Sequence, residues 1–273
     1  MPPREYLPFD IGRLTVMPGH RPHTFKVLLA PQSLTARGVL EHISQCFRSN
    51  NSPILSLHTS ILPDRRVWIY VSAHIDGDAG KVAECLSKVD YVQEVEYSPP
   101  IVEGVGVDAW GFPPILGGTR ILAFREPVLA EFLKRGWRLM GGGFGILLYY
   151  TFFKAGQEIY RTAYSMLKRP EDAVRLAEAV FRIAGYGALE VAELTDTRAV
   201  GRVYDSIECK ILKDVKGAEN SIVRGIIAGF VAGLWGLGMN DVAAAETKCI
   251  RRGDPYCEIV VEKRPPGPLP RKT

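Results

Sequence analysis

The spacing of apolar residues predicts two regions with different patterns. In residues 1–98, β-prone runs alternate with helical ones. We predict strands at 23–30, 54–62, 65–75 and 91–97 and helices at 35–48 and 79–88. The buried face of the first helix is marked by Val39, Leu40, Ile43 and Phe47. Asp76-Gly-Asp78 precedes the second helix and can cap it. The order strand–helix–strand–strand–helix–strand predicts a ferredoxin-like sandwich of one sheet and two helices.

A stretch dense in glycine and proline, 99–118, is predicted to be a linker to a second domain at 119–262. In that domain we predict a strand at 119–124, helices at 127–140, 146–167 and 170–184, strands at 188–195 and 198–212, a helix at 218–238 and a hairpin at 242–262. This pattern favours an α/β domain with an antiparallel sheet and packed helices. Residues 263–273 are basic and proline-rich, which is typical of a flexible, solvated tail.

The terminal hairpin contains the most distinctive chemistry in the chain. Glu246 and Cys249 precede a predicted turn with Gly253 and Asp254, and Cys257 follows it. A hairpin would bring the two thiols close together, with a carboxylate three residues before the first. Thiolates with a carboxylate can bind a cation such as zinc. The same residues could instead form a disulfide or remain as two buried thiols.

This motif resembles the end of the 4-vinyl reductase domain. Two upstream segments resemble it as well: Gly185-Tyr-Gly187 before a strand, and the glycine-rich helix 224–233. The likeness covers roughly residues 115–262. The domain is shared by archaeal proteins, a bacteriochlorophyll-synthesis protein and sensor modules of bacterial regulators that detect phenols, and this chain looks like the archaeal type.

The resemblance implies a structural zinc held by three cysteines and one glutamate. The matching positions are Glu246, Cys249 and Cys257, whereas the family's remaining cysteine precedes the glycine-rich helix, where residues 218–224 contain none. Cys209 could complete the set if its strand neighbours the hairpin. Glu219 or water could supply the fourth ligand instead. A further alternative is that the site binds no metal.

The same resemblance implies a pocket for a small apolar or aromatic molecule, and a homodimer. The aromatic residues on the matched segments are Tyr186, Phe230 and Trp235. They are the candidates for ligand contact, although most aromatic residues in a domain belong to its ordinary core.

The first region resembles the ACT regulatory domain. Gly38-Val-Leu40 matches the glycine motif at the start of that family's first helix, and Asn50-Asn51 stands where the family often has asparagine. The resemblance makes Gly38 a candidate contact for a small effector. The alternative is an ordinary helix-start glycine in a protein–protein module, because this fold is common and does not imply function.

Charge and hydropathy exclude several classes of protein. A net charge of +4 on 273 residues, with no helix-turn-helix signature, gives no support for nucleic-acid binding. The apolar run 139–153 is shorter than the ~20 residues of a membrane span, and the run 222–239 contains Arg224 and five glycines. The start of the chain has no signal-peptide pattern, so we predict a cytoplasmic protein without a membrane partner. The five cysteines are odd in number and nothing suggests secretion, so we expect no disulfide framework. Intracellular proteins of hyperthermophiles are the exception, and Cys249–Cys257 is the pair to watch.

Residue types also argue against common enzyme sites. All five histidines lie at or before His74, so the second domain lacks a histidine for a catalytic triad, a zinc protease or a haem. We predict that Glu190, Asp205 and Glu208 face solvent from strands. The glycine-rich run Gly141-Gly-Gly-Phe-Gly145 follows a helix rather than a strand, which favours helix packing over phosphate binding.

The leading hypothesis is a two-domain regulatory protein that senses a small molecule and acts on an unidentified protein partner. One alternative is a tetrapyrrole vinyl reductase or carrier. Another is a structural scaffold, because the domain also resembles subunits of vesicle-tethering complexes.

Overall fold

The computed structural model describes residues 7–164 and 167–265, which divide into two compact units, 7–122 and 123–265. Each unit combines helices with antiparallel sheets, so the chain has a mixed α/β fold. The predicted tail lies mostly outside the described residues. Lys263, its first residue, is the last residue of a strand.

The first unit contains the predicted order of strands and helices, together with two short strand pairs. Its elements are β1 (Leu14–Val16), β2 (Pro22–Leu29), α1 (Val39–Ser49), β3 (Ile54–Ile61), β4 (Val67–His74), α2 (Ala79–Ser87), β5 (Val92–Ser98), β6 (Val105–Val107), β7 (Ile115–Leu116) and β8 (Thr119–Arg120). The main sheet has the order β3-β4-β2-β5, and every neighbouring pair is antiparallel.

The helices α1 and α2 cover one face of this sheet. Val39, Ile43 and Phe47 of α1 recur every four residues, so they share one side of the helix, and all three are buried against the sheet. Leu40, which we predicted for the same buried face, is 52% exposed because it lies one residue out of this period. Asp78 caps α2 by accepting the Gly80 N–H, as predicted.

A disulfide joins Cys46 of α1 to Cys85 of α2, with the two Cα atoms 5.6 Å apart. This bond corrects the expectation of no disulfide framework, and it joins a pair other than Cys249–Cys257. This disulfide forms because both helices lie side by side on the same sheet, which cysteine spacing along the chain does not reveal.

Part of the predicted linker belongs to the first unit. Strand β6 pairs with β1, and the Trp110 indole donates a hydrogen bond to Glu96. The predicted strand 119–124 is wrong beyond its first two residues: Gly117 and Gly118 form a tight turn, and only Thr119–Arg120 pairs back.

The second unit begins with helices and ends with a four-stranded sheet. Its elements are α3 (Glu126–Met140), α4 (Gly142–Ile159), a π-helical turn (Tyr160–Tyr164), α5 (Pro170–Ile183), β9 (Ala188–Leu194), β10 (Arg198–Tyr204), α6 (Ile207–Ile211), α7 (Ser221–Leu234), β11 (Val242–Lys248) and β12 (Cys257–Lys263). The sheet order is β11-β12-β10-β9, antiparallel throughout.

The strand predicted at 198–212 ends at Tyr204, and its second half is the short helix α6. Asp205 has φ 50°, which turns the chain out of the sheet, and the Ser206 side chain then caps the helix at its N-terminus. This correction moves Cys209 from a strand onto a helix.

Helix α7 packs closely on α4 through glycines that recur every four residues and so lie on one face of the helix. A Cβ atom on Gly225 would lie 2.7 Å from the Tyr149 carbonyl oxygen of α4. Gly229 and Gly156 have equally little room, facing the backbone at Phe153 and Ile226 respectively. The two backbones therefore touch without side chains between them.

Candidate functional site

The terminal hairpin forms as predicted and brings two thiols together. Cys249 follows β11 directly, and Cys257 is the first residue of β12. Between them the chain makes a 3₁₀ turn (Ile250–Arg252) and then passes through Gly253, whose φ of 93° suits glycine. The Asp254 carboxylate accepts the Cys249 N–H at 2.8 Å, which fixes the turn.

Cys209 of α6 adds a third thiol to the hairpin. Its Sγ lies 3.6 Å from that of Cys249 and 3.3 Å from that of Cys257. Glu246, which is half-buried, adds a carboxylate oxygen to the cluster. This oxygen and the three sulfur atoms all lie within 4.8 Å of one another. All three cysteines are almost fully buried.

The three thiols perturb one another because they are crowded and shielded from water. The hydrogen bond that Cys209 shares with Cys257 raises the pKa of Cys209 far above its ordinary value and lowers that of Cys257. Burial raises the pKa of Cys249 to about 11.

The donor set fits a tetrahedral zinc ion. Two sulfurs on one zinc lie about 3.8 Å apart, because each Zn–S bond is about 2.3 Å. The separations of 3.3 and 3.6 Å need only small adjustments. The cluster holds Cys209, Cys249 and Cys257 as free thiols. Glu219, the alternative fourth ligand, instead pairs with Arg224 at 2.9 Å.

Two buried polar side chains support this cluster, and the sequence did not reveal either. Asn220 donates its side-chain N–H to the Glu246 carboxylate at 3.2 Å. Glu208, which we predicted to face solvent, is 1% exposed. Its position immediately before Cys209 was the only available signal. Burial raises the pKa of Glu208 to about 7, although three backbone N–H groups oppose this shift.

The predicted ligand residues do not meet in one place. Phe230 of α7 packs edge-on against Tyr160 and Tyr164, with ring centres 5.4 and 5.1 Å away. The Trp235 indole donates to the Thr195 carbonyl, whereas the Tyr186 carbonyl accepts the N–H of Ile207. These last two contacts lie beyond opposite ends of β10, a strand of seven residues that spans roughly 20 Å.

Gly38 stands at the N-terminal end of α1 with φ 82°, a conformation that favours glycine. It borders an open cavity of about 430 Å³, and the cavity is otherwise lined mainly by apolar side chains of the first unit, including Leu29, Leu34, Ile61 and Ile69. The α1 N-terminus carries no capping side chain.

None of the helices among the described residues combines the length and apolar character that a membrane span requires. No family model matches the chain, and no curated protein matches it significantly.

Several solved structures share part of its shape. The phenol-responsive sensory domain of the transcription activator PoxR, solved with phenol, has a TM-score of 0.48 and 17% identity, covering 55% of this chain and 79% of that one. A vinyl-4-reductase family protein from Methanocaldococcus jannaschii has a TM-score of 0.36 and 16% identity. The match covers 53% of this chain and 85% of that one. Trafficking protein particle complex subunit 3 from Naegleria fowleri, covalently bound to palmitic acid, has a TM-score of 0.38 and 15% identity. The match covers 51% of this chain and 95% of that one. These values are low, so what this chain binds has to be inferred from its own residues.

Proposed function

We propose that this chain is a regulatory protein whose second unit contains a structural zinc ion and senses a small apolar or aromatic molecule. The observation that carries the proposal is the buried cluster of Cys209, Glu246, Cys249 and Cys257. Three thiols and a carboxylate are a donor set that suits zinc, and together they would fill all four positions of a tetrahedral ion. Such a closed site would leave no position for a reacting molecule, which supports a structural role for the ion.

The ligand site that we propose lies around Phe230, towards the opposite end of α7 from the cluster. Tyr160 and Tyr164 contact the Phe230 ring there at nearly right angles, from a π-helical turn, a feature frequent at functional sites. Gln157 of α4 also binds the Leu237 carbonyl at this end. Aromatic walls with hydroxyl groups suit a molecule that is mostly apolar and carries one polar group.

For the first unit we propose an ACT-like, ferredoxin-type regulatory module. The antiparallel order β3-β4-β2-β5, with both helices on one face, supports this assignment. The cavity beside Gly38 is where an effector would bind.

We also propose a homodimer, formed through the outer faces of α3 and α4. These two helices carry seven large apolar side chains that are each more than half exposed: Val128, Phe132, Leu139, Met140, Ile146, Leu147 and Tyr150. Exposed apolar side chains grouped on one face are typical of interaction surfaces. A second copy would cover them with an identical surface, the commonest arrangement among oligomers.

A cytoplasmic location suits the three free thiols of the cluster, because reducing compartments preserve them. The Cys46–Cys85 disulfide is compatible with that location in hyperthermophiles, whose intracellular proteins are rich in disulfides.

Native mass spectrometry of protein purified without chelator tests the zinc site. We expect one zinc per chain, and its loss in Cys209→Ser. The matched control is the double variant Cys46→Ser/Cys85→Ser, which removes two cysteines outside the cluster and should retain the metal. Parent protein without metal that also fails to take up added zinc would refute the proposal.

Calorimetric titration with phenol, a minimal aromatic probe with one hydroxyl, tests the ligand site. We expect binding by the parent protein and at least about tenfold weaker binding by Phe230→Ala, because an aromatic wall is lost. Phe112→Ala, which alters a 77% exposed ring of the first unit, is the control. Equal affinities in all three proteins would exclude this site.

A further inference from the structure

The metal cluster is connected to the beginning of the glycine-rich helix α7. Asn220 is the N-cap residue of α7. Its side chain donates a hydrogen bond to Glu246 and does not cap the helix. Asn220 is 1% exposed, so its side chain is shielded from bulk water. Asn220 therefore joins a candidate metal ligand to a helix terminus.

A second connection runs through Glu208. Its carboxylate accepts the backbone N–H groups of Ser221, Ile222 and Val223 at 2.9 to 3.1 Å, in the first turn of α7. These amides have no partner within the helix, because the first turn leaves its N–H groups free. Since Glu208 directly precedes Cys209, a metal that fixes Cys209 also fixes the carboxylate that binds this turn.

We propose that Asn220 and Glu208 are positioning residues that make the order of the α7 N-terminus depend on metal occupancy of the cluster. This inference rests on the proposed zinc site. Zinc would hold Glu246 and Cys209 at a fixed separation. Glu246 would then position α7 through Asn220, and Cys209 would do so through the adjacent Glu208. Without the metal, the hairpin and α6 are held together by contacts between protonated thiols, which are weak hydrogen bonds.

The glycine contacts extend this effect to α4. Gly225 meets the Tyr149 carbonyl, and Gly229 meets the backbone at Phe153, so no flexible side chain separates the helices. A displacement of α7 must therefore displace α4, which carries Ile146, Leu147 and Tyr150 on its exposed face. The metal cluster and the proposed dimer surface are thus linked through one rigid helix pair.

Zinc affinity of the full chain, measured by competition with a chromophoric chelator, tests the role of Asn220. Residues that orient metal ligands typically contribute 10–100-fold to affinity, so we expect Asn220→Ala to weaken zinc binding by at least about tenfold. Ser221→Ala is the matched control: its side chain is equally buried, but its hydroxyl binds no cluster residue. It should retain the parent affinity within about twofold. Equal affinities in parent and Asn220→Ala would overturn the role of Asn220.

Hydrogen exchange with and without zinc tests the coupling itself. Chelation should accelerate exchange at amides 221–223 by at least about tenfold, while the Cys46–Cys85 region of the first unit stays unchanged. In Glu208→Gln, which keeps the side-chain shape, the same amides should exchange faster even with zinc bound. Unchanged exchange in the parent protein upon chelation would overturn the coupling, and unchanged exchange in Glu208→Gln would remove Glu208 from it. A parent protein that never binds zinc would instead refute the proposed function on which the inference rests.

Discussion

Replacing Gly225 by alanine tests the close packing of α7 on α4. The added Cβ would lie 2.7 Å from the Tyr149 carbonyl oxygen and 3.0 Å from the Phe152 Cβ. Ordinary contact begins at 3.4 Å, so the carbonyl oxygen and the added methyl group must move apart by about 0.7 Å. The obstacle is backbone, which cannot rotate away as a side chain would.

Two opposing effects set the magnitude. Inserting a methyl group into a packed interior typically costs about 1–3 kcal/mol, whereas exchanging glycine for alanine within a helix gains about 1 kcal/mol. Because the obstacle here is backbone, we expect the cost to fall in the upper part of its range, about 2–3 kcal/mol, which leaves a net destabilisation of about 1–2 kcal/mol. Gly143→Ala, at an exposed α4 position with nothing within 4 Å, should instead stabilise the unit by about 0.5 kcal/mol.

Unfolding in urea, monitored by hydrogen exchange in peptides from α4 and α7, measures the stability of the second unit alone. With an m value of about 2 kcal/mol/M, the midpoint for Gly225→Ala should fall by about 0.5–1 M while that for Gly143→Ala rises slightly. Two variants that both stabilise the unit would show that only helix propensity matters. The backbones of α4 and α7 would then not be in contact.

Three further predictions concern the disulfide, the metal cluster and the exposed helix face. Reducing Cys46–Cys85 should destabilise the first unit by about 4 kcal/mol, because the bond closes a loop across a sequence separation of 39; calorimetry with and without reductant measures this, and an unchanged transition would contradict it. Apparent zinc affinity should rise from about pH 6 to about pH 8, because thiols such as Cys249, whose pKa is raised to about 11, must lose their protons to bind metal; a flat pH profile in chelator competition would argue against thiolate ligands. Leu139→Glu, at a 77% exposed position, should convert a dimer into monomers in sedimentation equilibrium, whereas a dimer that persists would exclude this face.

Local patterns along the chain were sufficient for most of the secondary structure. The apolar period located α1 and α2, and turn residues located the hairpin that carries Cys249 and Cys257. The four-residue spacing of Gly225, Gly229 and Gly233 places them on one face of α7. These features depend on neighbours within a few residues, so the sequence contains the information directly.

Tertiary structure decided which distant residues meet. Cys209 joins thiols 40 and 48 residues away, and Cys46 meets a cysteine 39 residues away. The burial of Glu208 depends on α6 packing against the start of α7. Such contacts follow from the arrangement of whole elements, which no local period encodes.

The candidate ligand residues show the same division. Resemblance selected Tyr186 and Trp235 from their segments, yet these segments approach opposite ends of β10. The sequence by itself determined the elements and the chemical types available on each. The tertiary structure decided which of those types share a site, because burial and proximity arise only when the elements pack together.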